Sequence, residues 1–194
     1  MNEPPARRIA LFGGTFDPIH LGHVEIARLA KDALELDEVR FLPCHTSPHK
    51  IGSQTAPGAD RLEMVRLATR DLNWAVADDF DLTSPPPSYS YRTAEEMSQR
   101  WPGSQLYWIM GADQWRALPR WSEPDRLAAQ VEFIVFARDG VPEPHPGWTM
   151  HFLHGTHPAS ATEVRRELAD GEHAPRWLDP EVARYISRQN LYKP

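Results

Sequence analysis

The sequence predicts an α/β fold: a doubly wound, Rossmann-like and mostly parallel sheet with helices on both faces, formed as a single domain. Three observations predict it. Apolar runs of strand length alternate with segments whose apolar residues recur at helical spacing. Two of these runs, "ALFGG" and "YWIMGAD", end in glycine directly before a helical segment, as in sheets that hold a ligand beyond their carboxyl edge. No internal repeat or low-complexity tail interrupts the alternation over 194 residues, a length suited to one domain with a substantial core.

The elements follow in order. "RRIALFG" (residues 7–13) is an apolar run stopped by Gly-Gly and reads as a buried strand. Ile26, Ala27, Ala30, Ala33 and Leu34 share one face, which predicts a helix over residues 22–35. "EVRFLPC" (38–44) completes a βαβ unit, whose right-handed crossover makes the two strands parallel. Residues 45–57 are polar, marked by proline and long for a connection, the kind of loop that carries function. In "DRLEMVRLATRD", Asp60 suits an N-cap and Leu62, Val65 and Ala68 keep helical spacing. "WAVADDF" (74–80) is a third strand, "SPPPSYSYRTAEEMSQRW" a rigid loop feeding a helix, and "QLYWIMGAD" a further strand. "WSEPDRLAAQ" predicts a helix, "VEFIVFAR" and "WTMHFLH" strands, and "SATEVRREL" and "DPEVARYISRQN" helices, the last with Asp179 as cap and Pro180 in its first turn.

Composition narrows the function. Hydrophobic residues at 41% and charged residues at 25% are globular values. A net charge of −6, with no long block of Lys or Arg, excludes a duplex-coating nucleic-acid binder, so any phosphate binding is local. Cys44 is the single cysteine, which excludes a disulfide framework and a Cys-based zinc module and suits a reducing cytoplasm. No run approaches about 18 apolar residues, so the expectation is a cytoplasmic protein without a membrane segment. The 19 prolines cluster in loops such as "SPPPS" and "VPEPHPG".

The chemistry concentrates in "ALFGGTFDPIHLGHVEI" (10–26). Gly13 and Gly14 end the first strand, where a missing Cβ lets backbone amides approach a phosphate, and the next helix turns its N-terminal amides to the same space. His20 and His23, three apart at the helix mouth, add donors on one side of a turn. The pattern is neither G-x-G-x-x-G nor G-x-x-x-x-G-K-[ST], so dehydrogenase-type dinucleotide binding and a P-loop are disfavoured. His145, His151, His154, His157 and His173 have no spacing that requires zinc.

"GGTFDPIHLGH" resembles the GxFxPxHxGH signature of the nucleotidyltransferase superfamily. Four further segments are similar to bacterial nicotinate-nucleotide adenylyltransferases: "PHK" (48–50), "PSYSYRT" (87–93), "GADQWRALPRW" (111–121) and "SATEVR" (160–165). The resemblance runs in order through nearly the whole chain. It implies one nucleotidyltransferase domain over residues 1–194, with the helices from about 160 completing an ATP site. It also implies a reaction joining ATP and nicotinate mononucleotide into deamido-NAD and pyrophosphate, with Mg2+ carried on the ATP phosphates.

By that resemblance, His20, His23 and Arg165 are catalytic, stabilising charge on the α-phosphate and the leaving pyrophosphate. ATP is implied to meet Gly13, Gly14, Thr15, Phe16, Gly111, Asp113, Ser160 and Thr162 as well, with Asp113 on the ribose and residues 135–138 near the adenine. Nicotinate mononucleotide is implied to meet Lys50 in the long loop, the ring of Trp121 and backbone N–H groups near Ser90 and Ser122. Two positions depart from the family pattern: Ala161 replaces a serine, and "SYR" (90–92) stands where relatives often read Thr-Ile-Asp. Rival readings are a phosphopantetheine adenylyltransferase, an enzyme preferring nicotinamide mononucleotide, a nucleotide sensor without catalysis, and a histidine metalloprotein. The phosphopantetheine family typically has Thr where His20 stands. A homo-oligomer is compatible with the sequence.

Overall fold

The computed structural model describes residues 6–45, 55–138, 140–155, 159–172 and 176–193. Strands β1 (Arg8–Gly14), β2 (Glu38–Pro43), β3 (Ala75–Ala77), β4 (Gln105–Gly111), β5 (Glu132–Ala137) and β6 (Met150–His154) form one sheet in the order β3-β2-β1-β4-β5-β6. Every neighbouring pair is parallel, so the sheet is wholly parallel where the sequence predicts a mostly parallel one. All strand connections must then cross over a face; helices supply those from β1 through to β5, whereas residues 138–149 join β5 to β6 with no helix among the described residues.

Alternation along the strands separates two cores. Ala10, Phe12, Val39, Phe41, Tyr107 and Ile109 face helices α1 (Leu21–Ala33), α2 (Gly58–Thr69), α7 (Ala161–Ala169) and α8 (Pro180–Gln189). Ile9, Leu11, Leu42, Leu106, Trp108 and Met110 face α4 (Ser90–Arg100), α5 (Ala112–Ala117) and α6 (Pro124–Ala128). Neighbours in sequence thus go to opposite layers, as the period of two requires. A short helix, α3 (Phe80–Thr83), begins at the residue where the sequence ends its third strand.

The terminal helix is capped as its sequence predicts, with Asp179 accepting from the Glu181 N–H at 2.8 Å and Pro180 at its first position. Asp60 is a correction. Helix α2 starts earlier, at Gly58: Pro57 takes the N-cap place, and its carbonyl accepts from Arg61 N–H at 3.0 Å. Asp60 therefore lies inside the first turn, where its carboxylate accepts a 2.7 Å bond from the Tyr185 hydroxyl of α8. That bond and burial push the Tyr185 phenol up to about 12, burial being the larger cause.

Candidate active site

Strand order reverses between β1 and β4, and a cleft of about 1070 Å3 opens beyond their carboxyl ends. One end of it is built by the β1–α1 turn and the start of α7. Gly13 and Gly14 line it, and their need for glycine is local: a Cβ on Gly13 would lie 2.9 Å from the Trp108 indole, and one on Gly14 2.9 Å from the Phe16 ring. Phe16 itself holds a left-handed backbone at φ 48°, a conformation costing a non-glycine residue about 1–2 kcal/mol. Its ring is 2% exposed and meets His23 edge-on at 5.1 Å and Phe12 at 5.5 Å, so buried packing holds the turn.

His20 occupies the N-cap place of α1, and its backbone N–H donates to His23 Nδ1 at 3.2 Å. With Nδ1 accepting, the neutral His23 ring carries its proton on Nε2. The two imidazoles stack, with centroids 3.7 Å apart and planes 25° from parallel. His23 lines the cleft, whereas His20 is 8% exposed and lies behind the lining.

Across from the histidines, Ser160 caps α7 by accepting from Glu163 N–H at 3.2 Å, and Ala161 and Thr162 line the cleft. The Ser160 hydroxyl is thus engaged in the cap and is not part of the lining. First-turn amides have no intrahelical acceptor, which suits this end to an anion. Arg165 also lines the cleft. Its Nη1 donates to the Asp17 carbonyl at 2.6 Å and its Nη2 to Thr162 Oγ1 at 3.4 Å, which leaves most of the five guanidinium N–H groups to a ligand.

The other end of the cleft is aromatic. Tyr89, Ser90, Trp108, Met110, Trp121 and Ser122 line it. Ser90 is the first residue of α4, so that helix turns its N-terminal amides toward the space beside Trp121. Trp121 is half-buried and ends the 3-10 turn Leu118–Arg120, its N–H donating to the Leu118 carbonyl at 2.9 Å. Gly111 and Asp113 also line the cleft; Gly111 takes the N-cap place of α5, and the exposed Asp113 carboxylate pairs with Arg116. Residues 135–138 continue β5 and its exit and are not in the lining. Lys50 lies outside the described residues. Arg92 is not among the lining residues; its guanidinium lies 4.9 Å from the centroid of the Tyr89 ring, which does line the cleft.

Several site residues escape the sequence reading. Asp81 lines the aromatic end although it is 5% exposed, and burial is the main cause that pushes its carboxyl up to about 6, opposed by a 2.6 Å bond from Thr93 Oγ1. Arg61, 2% exposed, donates to the carbonyls of Thr15 at 2.7 Å, Cys44 at 2.8 Å and Ala56 at 3.0 Å. It ties the turn after β1, the end of β2 and the approach to α2 into one unit. A signal for it exists: Arg61 lies four residues before Val65, on the buried side of α2. Asp17 receives bonds from Ala56, Arg165 and Tyr192.

Among the described residues, no three His, Cys, Asp or Glu side chains gather to hold a metal ion. No helix among them is long and apolar enough to cross a membrane.

A strand–turn–helix anion site with paired histidines, set on a wholly parallel sheet, defines a nucleotide-handling α/β protein. Residues 11–167 match the cytidylyltransferase-like family, and the chain belongs to it. It is 37% identical over 202 residues to the probable nicotinate-nucleotide adenylyltransferase of Neisseria meningitidis serogroup B, covering 96% of this chain and 99% of that one. It is 36% identical over 187 residues to the protein of the same description from Thermus thermophilus, covering 96% and 100%. Among solved structures, Plasmodium falciparum nicotinic acid mononucleotide adenylyltransferase complexed with NaAD superposes with a TM-score of 0.77 at 18% identity over 96% of this chain and 97% of that one, a likeness of fold.

Proposed function

We propose that the chain transfers the adenylyl group of MgATP to nicotinate mononucleotide, giving deamido-NAD and pyrophosphate in cytoplasmic NAD synthesis. The observation that carries this reading is the two-ended cleft, with anion donors at one end and an aromatic wall beside a helix N-terminus at the other. The relatives' shared description supports the same substrates.

In this reading a phosphate oxygen of nicotinate mononucleotide attacks the α-phosphorus of ATP. The new P–O bond forms as the bond to the bridging oxygen breaks, and that electron pair leaves on pyrophosphate. No protein nucleophile takes part, so catalysis rests on alignment and on stabilising the charge that moves to the leaving group. His23 donates from Nε2, His20 stacks behind it and fixes its tautomer through the backbone N–H, and Arg165 supplies a planar fork. His23, Arg165 and the first-turn amides of α7 are cationic or neutral donors that suit phosphate oxygens, with magnesium carried by the triphosphate as part of the substrate. Trp121 stacks on the pyridine ring, and amides near Ser90 and Ser122 bind its carboxylate. Asp113 serves the ribose. Lys50 approaches a phosphate from the long loop. The whole chain acts as one domain, with the helices from about 160 completing the ATP site.

The test is product identification. Purified protein with MgATP and nicotinate mononucleotide is expected to yield deamido-NAD and pyrophosphate in equal amounts, with chelation of magnesium stopping both. Absence of the dinucleotide from a folded protein would overturn the assignment.

A further inference from the structure

The Arg165 side chain is held by a junction built around Asp17, which itself lines the cleft, and Tyr192, which does not. Asp17 is 5% exposed. Its carbonyl accepts from Arg165 Nη1 at 2.6 Å, and its carboxylate Oδ2 lies 3.9 Å from the same nitrogen. The other carboxylate oxygen, Oδ1, accepts from the Tyr192 hydroxyl at 2.7 Å and from Ala56 N–H at 3.0 Å. Tyr192 follows α8, more than 170 residues from Asp17 in sequence, and it holds a left-handed backbone at φ 61°. A bulky residue adopts that conformation only where its surroundings fix it. Burial, then the bond to Asp17, pushes the phenol well above its ordinary range, so the hydroxyl remains a donor at every working pH.

We propose that Tyr192 is a positioning residue for the triphosphate site, acting through Asp17 to set the direction of Arg165. The inference rests on the reading of Arg165 as a triphosphate ligand. Physically, a buried carboxylate needs its lone pairs satisfied. The Tyr192 hydroxyl and the Ala56 amide meet Oδ1, which orients the carboxyl group and the Asp17 peptide beside it. That peptide carbonyl then fixes one arm of the guanidinium and leaves the remaining N–H groups aimed at the cleft. Removing the hydroxyl releases the carboxylate to turn toward Arg165 Nη1, 3.9 Å from Oδ2, and draws the fork away from its ligand.

Tyr192→Phe keeps the ring and removes the bond. It is expected to raise the KM for ATP by roughly ten- to a hundredfold, the factor carried by one hydrogen bond to a charged acceptor, with the KM for nicotinate mononucleotide unchanged. Leu191→Ala is the control: Leu191 packs on the same core, so its loss lowers Tm without moving the KM for ATP. The decisive readout is a double-mutant cycle of ATP binding, measured by calorimetry in the absence of the second substrate. Tyr192→Phe is expected to add nothing once Arg165 is already alanine. Additive effects, or an equal rise in the KM for ATP from Leu191→Ala, would overturn the positioning role while leaving the reaction assignment intact. An Arg165→Ala protein that binds ATP normally would overturn both the positioning role and the reading of Arg165.

Discussion

The two ends of the cleft are built differently. At the anion end, His20, Phe16 and Asp17 are each less than a tenth exposed, and the donors that face the cleft rest on them. At the aromatic end, Trp121 is half-buried and Ser122 exposed, and both sit on a short turn between α5 and α6, away from any strand. The difference follows from what each end must do. Charge migrating to a leaving group is stabilised most by donors already fixed in place, because reorganisation then costs nothing during the reaction. A flat ring with one carboxylate is recognised by stacking and two or three N–H groups, which a surface turn can supply as the substrate settles.

Substitutions at each end should separate along that line. His23→Ala removes the Nε2 donor that lines the cleft and is expected to lower kcat by about two orders of magnitude or more in a folded protein, read by steady-state pyrophosphate release with circular dichroism as the fold control. A near-normal kcat would place the charge stabilisation elsewhere. Arg61→Ala leaves three carbonyls, one of them fully buried, without their donor and should cost about 3 kcal/mol or more in urea unfolding. If the anion end were as adaptable as the other, that loss would be small.

Trp121→Ala should act on one substrate only, raising the KM for nicotinate mononucleotide about tenfold while the KM for ATP holds. Asp81, on the same side of the cleft, gives a pH signature. Its folded pKa of about 6 lies above the ordinary 3.8, so the stability it contributes is fully present below pH 3.8 and is lost as pH rises through 6. Relative to Asp81→Asn, the wild type should lose up to about 3 kcal/mol between pH 4 and pH 7, with Asp78 nearby adding to the shift and the Thr93 bond opposing it. Gly13→Ala is the mildest case. Its Cβ at 2.9 Å from the Trp108 ring must displace the indole, for about 1–3 kcal/mol of stability.

Much of this is legible in the sequence because local chemistry sets it. Apolar runs broken by glycine locate β1 and β4, and a proline and an aspartate mark the start of α8. The start of α2 is misread because Asp60 looks like a cap but serves Tyr185, a partner 125 residues away. The same reason hides Asp17 and Asp81: their roles are set by contacts from remote segments, and each has a charge that spacing alone assigns to the surface. The glycines of the β1 turn are legible as a demand for space, but only the fold reveals that Trp108 and Phe16 fill it. Ser160 is legible as a cap, and the cap itself is what takes its hydroxyl out of the lining.

The most direct measurement compares nicotinate mononucleotide with nicotinamide mononucleotide at matched concentrations, following pyrophosphate release with MgATP. An amide at the ring offers a donor where the carboxylate offers a second acceptor, so N–H groups near Ser90 and Ser122 predict a strong preference for the acid. Equal use of the two, or preference for the amide, would contradict a carboxylate site at the aromatic end of the cleft.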